Sequence, residues 1–497
     1  MLTQVSSIEV YRRTLLFQQM GYTPAEIRAY GAGASQFTIN AGTPNLAVSQ
    51  VDGGVFVGDD WRVRPNLTLN LGVRYELQTN IHDGRDIAPR LALAWSPGSR
   101  ASAHKTVIRG GFGVFYDRFA LTNTLTADRY NGVIQQQYVV TDPDFYPNIP
   151  TLGSLAANRS VQATQEVDAH LRAPSITQSA VTLERQLPKK TTLAVTYTNS
   201  RALHVLRSAD INAPLPGSGV YPYPGEGPIS LMTAAGVYNQ NQMIVNVNSK
   251  MNAAISLFGY YVLNRAMSNS DGLQTFPANP YSPAGEYGPA ATDVRNRVVL
   301  GGNILTRWNI RFNPFVTLQS GAPFNITTGN DPYGTTVFTA RPGLATNASL
   351  PGVEQTPYGL LDPNPSAAET LIPRNDGRGP GLYSVNLRVG RTWGFGAERS
   401  AGVAAQNGQS GTVGPMLSAP QGTRGLFGSP NTAHRCNLTV SMSIRNLLNH
   451  TNQGPIIGNI TSPLFGRSNQ IAGSVNGEGF SELASNRRLE LQMRFTF

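Results

Sequence analysis

From Arg488 to Phe497, apolar and polar residues alternate without a break. Leu489, Leu491, Met493, Phe495 and Phe497 are apolar, and Arg488, Glu490, Gln492, Arg494 and Thr496 are polar. A period of two predicts a strand with one greasy and one wet face. The pattern recurs about thirteen times along the chain. Leu67, Leu69, Leu71, Val73, Tyr75 and Leu77 alternate with Thr68, Asn70, Gly72, Arg74 and Glu76. Leu193, Val195 and Tyr197 do the same, as do Leu438, Val440, Met442 and Ile444. Further runs cover 53–64, 87–96, 106–118, 176–187, 236–249, 253–265, 293–306, 309–320 and 381–394. Many approach the roughly nine to eleven residues that a tilted strand needs to cross a bilayer, whereas strands of soluble proteins are mostly shorter.

A soluble sandwich also alternates, so the connections decide. Pro65-Asn66, Pro188 to Lys190, Met251-Asn252 and Thr306 to Trp308 are tight, and 97–105 is somewhat longer. Between them lie long connections at 119–175, 207–235, 267–292, 321–380 and 450–485. Short turns on one rim and long loops on the other are the arrangement of outer-membrane barrels, with the short turns periplasmic. Counting back from Phe497 as a periplasmic end puts every tight turn on that side. One connection breaks the rule, because 396–433 is long yet falls on the periplasmic side. It is rich in Gly, Ser, Ala, Pro and Gln and reads as a flexible insert.

The fold expected is therefore all-β, an antiparallel transmembrane outer-membrane barrel with long extracellular loops over residues 53–497. An odd strand count implies that the barrel is incomplete in this chain. Either a strand hides before residue 53 or a missing N-terminal part supplies partners, since open strand edges are not viable in lipid. Residues 1–52 read as a helical and irregular extracellular segment. Thr23-Pro24-Ala25-Glu26 is a capping box with Pro at the first helical position, and Gly21 separates two helices.

Composition fits this picture. Only 14% of residues are charged, and the mean hydropathy is slightly negative, as expected where lumen and loops are polar. The net charge of +10 rests almost wholly on arginine, with lysine at only four positions. These basic residues are scattered, with no aromatic-interleaved stripe, which argues against a nucleic-acid partner. They can meet anionic lipopolysaccharide outside the cell. Residues 1–20 lack the unbroken apolar run of a signal peptide, so Met1 is expected not to be the natural start. Aromatics gather near strand ends at Trp61, Trp95, Tyr116, Phe119, Tyr260, Tyr261, Trp308, Trp393, Phe395 and Phe497, as interfacial girdles do.

No catalytic constellation emerges, and no enzymatic activity is expected. There is no nucleophile elbow, no phosphate loop and no His/Cys spacing for a metal. No cofactor is implied. The charges on the wet faces are the better candidates. Arg74, Glu76, Arg109, Arg445, Glu490 and Arg494 are expected to face the lumen. There they either line a solute path or grip a plug, or else form a solvated ladder of cross-strand pairs.

Several segments resemble the Oar-like branch of the TonB-dependent outer-membrane receptors. They include Asp59-Asp60-Trp61-Arg62-Val63 leading into 67–76, then 109–117, Glu184 to Pro188, Asp210 to Pro216, Ser320 to Thr327, Arg445 to His450 and the closing Arg494-Phe495-Thr496-Phe497. The resemblance implies a barrel of about 22 strands, preceded by a plug that the TonB system contacts to drive uptake. It implies that the terminal strand, ending at Phe495 and Phe497, is read by the barrel assembly machinery. The loop Asn330 to Gly334 has lost the acidic spacing of a calcium loop, so no calcium is expected there. The function implied is energised uptake of an unnamed substrate. The alternatives are a non-transporting surface or adhesion barrel and a soluble, secreted β-sandwich.

Overall fold

The computed structural model describes residues 7–497 apart from 99–104, 142, 146–147, 157–162, 217, 336, 367–368, 399–431, 433, 473, 476–477 and 480–485. Thirteen strands form one antiparallel path in strict chain order. They are β1 (Asp52–Arg64), β2 (Leu67–Gln78), β3 (Asp86–Trp95), β4 (Thr106–Tyr116), β5 (Ser175–Leu187), β6 (Thr191–Asp210) and β7 (Ile229–Lys250). The remainder are β8 (Ile255–Ser268), β9 (Asn296–Leu305), β10 (Ile310–Gln319), β11 (Leu382–Glu398), β12 (His434–Arg445) and β13 (Arg488–Thr496). The expected strands are all present, and β6 and β7 extend beyond the expected runs to 20 and 22 residues. Among the described residues, no helix is long and apolar enough to cross a membrane.

The two faces of the sheet are inverted relative to a soluble protein. Apart from register shifts at Trp61/Arg64, around Gly236 and at Phe395/Glu398, the pairs keep one parity from β1 to β13, so each face can be followed across the sheet. One face carries Leu71, Val73, Leu91, Val181, Leu183, Leu300 and Met442, all exposed. The other buries Thr198, Asn264, Ser268, Asn313, Ser384, Asn437 and Ser441. Apolar surface left in water costs about 25 cal/mol per Å². A sheet that hides its asparagines and shows its leucines needs apolar surroundings, which lipid supplies.

The rims differ as well. Connections 65–66, 96–105, 188–190, 251–254 and 306–309 lie on one rim, and 117–174, 211–228, 269–295, 320–381 and 446–487 on the other, with the short 79–85 link. All four tryptophans of the chain stand at the tight-turn rim, and all are exposed. Trp61 pairs with Leu69 and Trp95 with Leu67, beside the first turn, while Trp393 pairs with Leu438, which faces Phe495. Trp308 sits in a turn, with the Arg307 guanidinium 4.4 Å from its ring centroid. Phe119 corrects the expectation of a girdle position. It is fully buried in a loop core with Ile81, Ala127, Leu171, Ala173 and Met232, and Tyr116 packs against that core. Tyr260 faces Asn246 and Val299 on the polar side of the sheet.

A second loop core gathers Ile326, Leu361, Ile372 and Ile460. The apolar cores of the molecule thus lie in the long loops, not between layers of sheet.

Ahead of the sheet, α1 (Ser7–Gln19) and α2 (Pro24–Ala29) flank Gly21 at φ +81°. The capping box closes at Thr23, whose amide donates to the Glu26 carboxylate at 2.8 Å. Among the described residues, Ile8, Tyr11, Leu15 and Leu16 of α1 stay exposed. A strand before residue 53 exists, Gln36–Gly42, but it does not extend the sheet. It pairs with Gln135–Thr141 of the β4–β5 loop. Arg28 forms an ion pair with Asp144, and Phe37 meets Phe145 edge-on at 5.0 Å. The sheet path stays open, and among the described residues β1 and β13 each have one neighbour.

Candidate functional site

The period-two rule fixes where the strand charges go. Arg74 faces Ala88, Ala94 faces Arg109, and Arg109 faces Thr182. At the far end Ser443 faces Glu490, Arg445 faces Arg488 and Thr439 faces Arg494. Followed through the register, Arg74, Glu76, Arg109, Arg445, Glu490 and Arg494 all share the polar face, but they sit in two groups near opposite edges of the sheet. Arg74 Nε donates to Glu76 at 2.6 Å. Arg109 Nη1 donates to Glu184 at 2.5 Å. Arg445 lies 3.5 Å from Glu490. All of these side chains keep substantial exposure, and exposed pairs contribute roughly 0–1 kcal/mol each. They set the charge of the face more than its stability.

The same parity brings in charges that the sequence reading passed over. Glu184 partners Arg109 across 75 residues. The guanidinium of Arg90 lies 4.9 Å from the Phe115 ring centroid. Arg388 Nη2 donates to Ser441 and to Gln492, both at 3.0 Å, and so bridges β11, β12 and β13. Alternation alone would have found all three.

A second cluster, in the long loops, had no local signal. The 269–295 and 320–381 loops are joined by three arginine–carboxylate pairs. Arg341 Nη2 donates to Glu286 at 2.5 Å, with both side chains almost fully buried. Arg374 pairs with Asp271, and Arg378 with Asp293, whose side chain has no exposed surface. Backbone groups complete the shells. Ala278 N donates to Glu286 at 2.9 Å, Ala266 N to Asp293 at 2.7 Å, and Arg341 Nη1 to the Gly285 carbonyl at 2.8 Å. Burial pulls the Arg341 guanidinium below the ordinary arginine value, and Glu286 partly offsets this. Asn375, at φ +55°, donates to Asp271 and to the Pro289 carbonyl, both at 2.9 Å. Asp331 accepts from the Thr335 amide at 3.1 Å and so closes its own loop.

The arrangement is a continuous polar sheet face with a loop assembly pinned at one rim. The sequence matches the family described as Outer membrane beta barrel domain over residues 14–86 and 82–404. Among solved structures, the chain is similar to the outer membrane transporter YddB from Escherichia coli, at 14% identity and a TM-score of 0.47, with 81% of this chain and 42% of that one covered. It is also similar to the FrpB iron transporter of Neisseria meningitidis (F3-3 variant), at 10% identity and 0.44, with 90% and 45% covered. A third similar structure is the pyoverdine outer membrane receptor FpvA of Pseudomonas aeruginosa, at 8% identity and 0.44, with 90% and 42% covered. The chain spans less than half the length of each. No curated protein matches it. With the family matched over most of its length, and a sheet that turns its leucines outward, this chain belongs to the outer membrane beta barrel domain family and is a protein of the bacterial outer membrane.

Proposed function

We propose that this chain is the C-terminal portion of a TonB-dependent uptake receptor of Oar-like type. The observation that carries this reading is the unbroken polar face, charged near both edges and roofed on one rim by pinned loops. Such a face suits the wall of a solute path, with Arg74, Glu76, Arg109, Arg445, Glu490 and Arg494 directed into the lumen. Energisation would come from the TonB system through a plug lying outside this sequence. Residues 1–52 then lie outside the cell with the β4–β5 loop to which they pair, and 396–433 lies in the periplasm. Lipopolysaccharide is the expected neighbour of the external loops. The barrel assembly machinery is the expected partner of the strand ending in Phe495 and Phe497.

The test is uptake by the gene read in frame with its upstream genomic sequence. Deletion should leave one or more solutes of a complex medium undepleted, and a protonophore should reproduce that defect in wild-type cells. A deletion strain whose medium is depleted like that of wild type would overturn the transport reading. A second reading, a non-transporting surface barrel, is favoured by the buried ion pairs that hold the loops as one fixed surface. It predicts loss of adhesion with no change in depletion.

A further inference from the structure

We propose that the cavity between the 269–295 and 320–381 loops binds a small carboxylate anion, gripped by Arg341 and Arg374. The cavity holds about 150 Å³ and is lined by Asp271, Glu286, Asn325, Arg341, Arg374 and Asn375, among others. This is far more than the roughly 10–15 Å³ that one water requires.

Two observations point to an anion. The first is unmet donors. Arg341 spends Nη1 on Gly285 and Nη2 on Glu286, which leaves Nε buried and without a partner. Arg374 spends Nη2 on Asp271, and its Nη1 is likewise buried and unpartnered. Both residues are more than nine-tenths buried. Buried charged donors left unsatisfied are costly, and most such groups in folded proteins find an acceptor. The second is charge. Each unmet N–H group belongs to a guanidinium, which stays charged when buried. An anion accepts from such a donor in a charge-assisted bond, stronger than the one a neutral acceptor makes.

A carboxylate suits the donors better than a spherical ion, because its two oxygens can take one unmet group each, Nε of Arg341 and Nη1 of Arg374. The neighbouring amide of Asn325 and the hydroxyl of Thr275 can orient the rest of a small polar acid. The site stands whether or not the barrel transports, because binding is read in detergent with no membrane to cross.

The test is calorimetric titration of the full chain, folded in detergent, with sodium succinate and separately with sodium phosphate at constant ionic strength. Saturable succinate binding is expected. Arg374→Lys keeps the charge but loses the fork, and should weaken succinate by about tenfold or more. The paired variant Arg341→Gln with Glu286→Gln removes both members of a buried pair, so the fold is kept, and should weaken it similarly. No saturable heat up to about 20 mM, which is weak even for a small ligand, would overturn the proposal, as would unchanged binding in both variants. Phosphate binding tighter than succinate and lost in the same variants would overturn the carboxylate assignment.

Discussion

Arg378 grips Asp293 twice. Its Nη1 donates to the Asp293 carbonyl at 2.6 Å, and its Nη2 pairs with the carboxylate of the same residue. The other carboxylate oxygen takes the Ala266 amide at 2.7 Å. One buried side chain thus ties the end of β8, the root of the 269–295 loop and the segment leading into β11.

Removing Arg378 leaves the fully buried Asp293 carboxylate with only the longer Arg295 contact, at 3.7 Å, among its ion pairs in the described residues. Breaking a fully buried pair costs about 3–5 kcal/mol. The partial exposure of Arg378 reduces this to roughly 1–3 kcal/mol. Arg378→Met should therefore open the 320–381 loop to limited proteolysis, with the sheet intact by its heat-modifiable migration. Adding Asp293→Asn should restore part of the protection. Equal cleavage in wild type and the single variant would show that the pair is not what pins the loop.

The four tryptophans should report one depth. In liposomes containing brominated lipids, quenching should be strongest for bromines near the headgroup and weak for bromines near the chain ends, because indoles prefer the interface. Single-tryptophan variants at 61, 95, 308 and 393 should give similar profiles. Strong quenching from the bilayer centre at any of them would misplace the tight-turn rim.

The 396–433 insert falls mostly outside the described residues, and its composition argues that it does not pack. Replacing it with a short turn between β11 and β12 should leave assembly intact, since loop length changes closure cost by only about 0.6 kcal/mol per doubling. Loss of the heat-modifiable form would show that the insert contributes contacts.

Phe497 tests the terminal strand. Its ring is highly exposed and lies 6.1 Å from that of Phe495, so Phe497→Ala removes little packing. Burial loss is bounded by roughly 1.5–3 kcal/mol for a Phe. The variant should assemble poorly while the assembled fraction melts like wild type. Thr496→Ala, on the polar face opposite Asn437, should assemble normally. Normal assembly of both would remove the case for a terminal recognition signal.

The sheet was legible because alternation over ten or so residues has no competing reading. Leu67 to Leu77 and Leu489 to Phe497 announce both the strand and its two faces, and from the faces follow Arg74, Arg109 and Glu490. Glu184 and Arg388 obey the same rule and needed only the same parity. The loop pairs were not legible. Arg341 and Glu286 stand 55 residues apart in segments of no period, and only tertiary folding brings them together. Phe119 misled for a related reason. An aromatic just past a strand reads as an interfacial anchor, but here the loop folds back and encloses it. Gln36–Gly42 alternates too, with Phe37, Ile39 and Ala41 against Thr38 and Asn40, but its seven residues are short for a bilayer crossing, and it pairs with Gln135–Thr141 in a loop and not with the sheet.

The open sheet path carries a constraint of direction. Along thirteen alternating strands, β1 and β13 run the same way. Brought together directly, they would meet as a parallel seam. A second copy inserted in the same orientation offers the same sense at each border and meets the same obstacle. An antiparallel seam therefore requires an odd number of strands from elsewhere, the first and last of which run opposite to β1. Val55, Phe56 and Val57, which stand exposed on β1, mark where the last of them would lie.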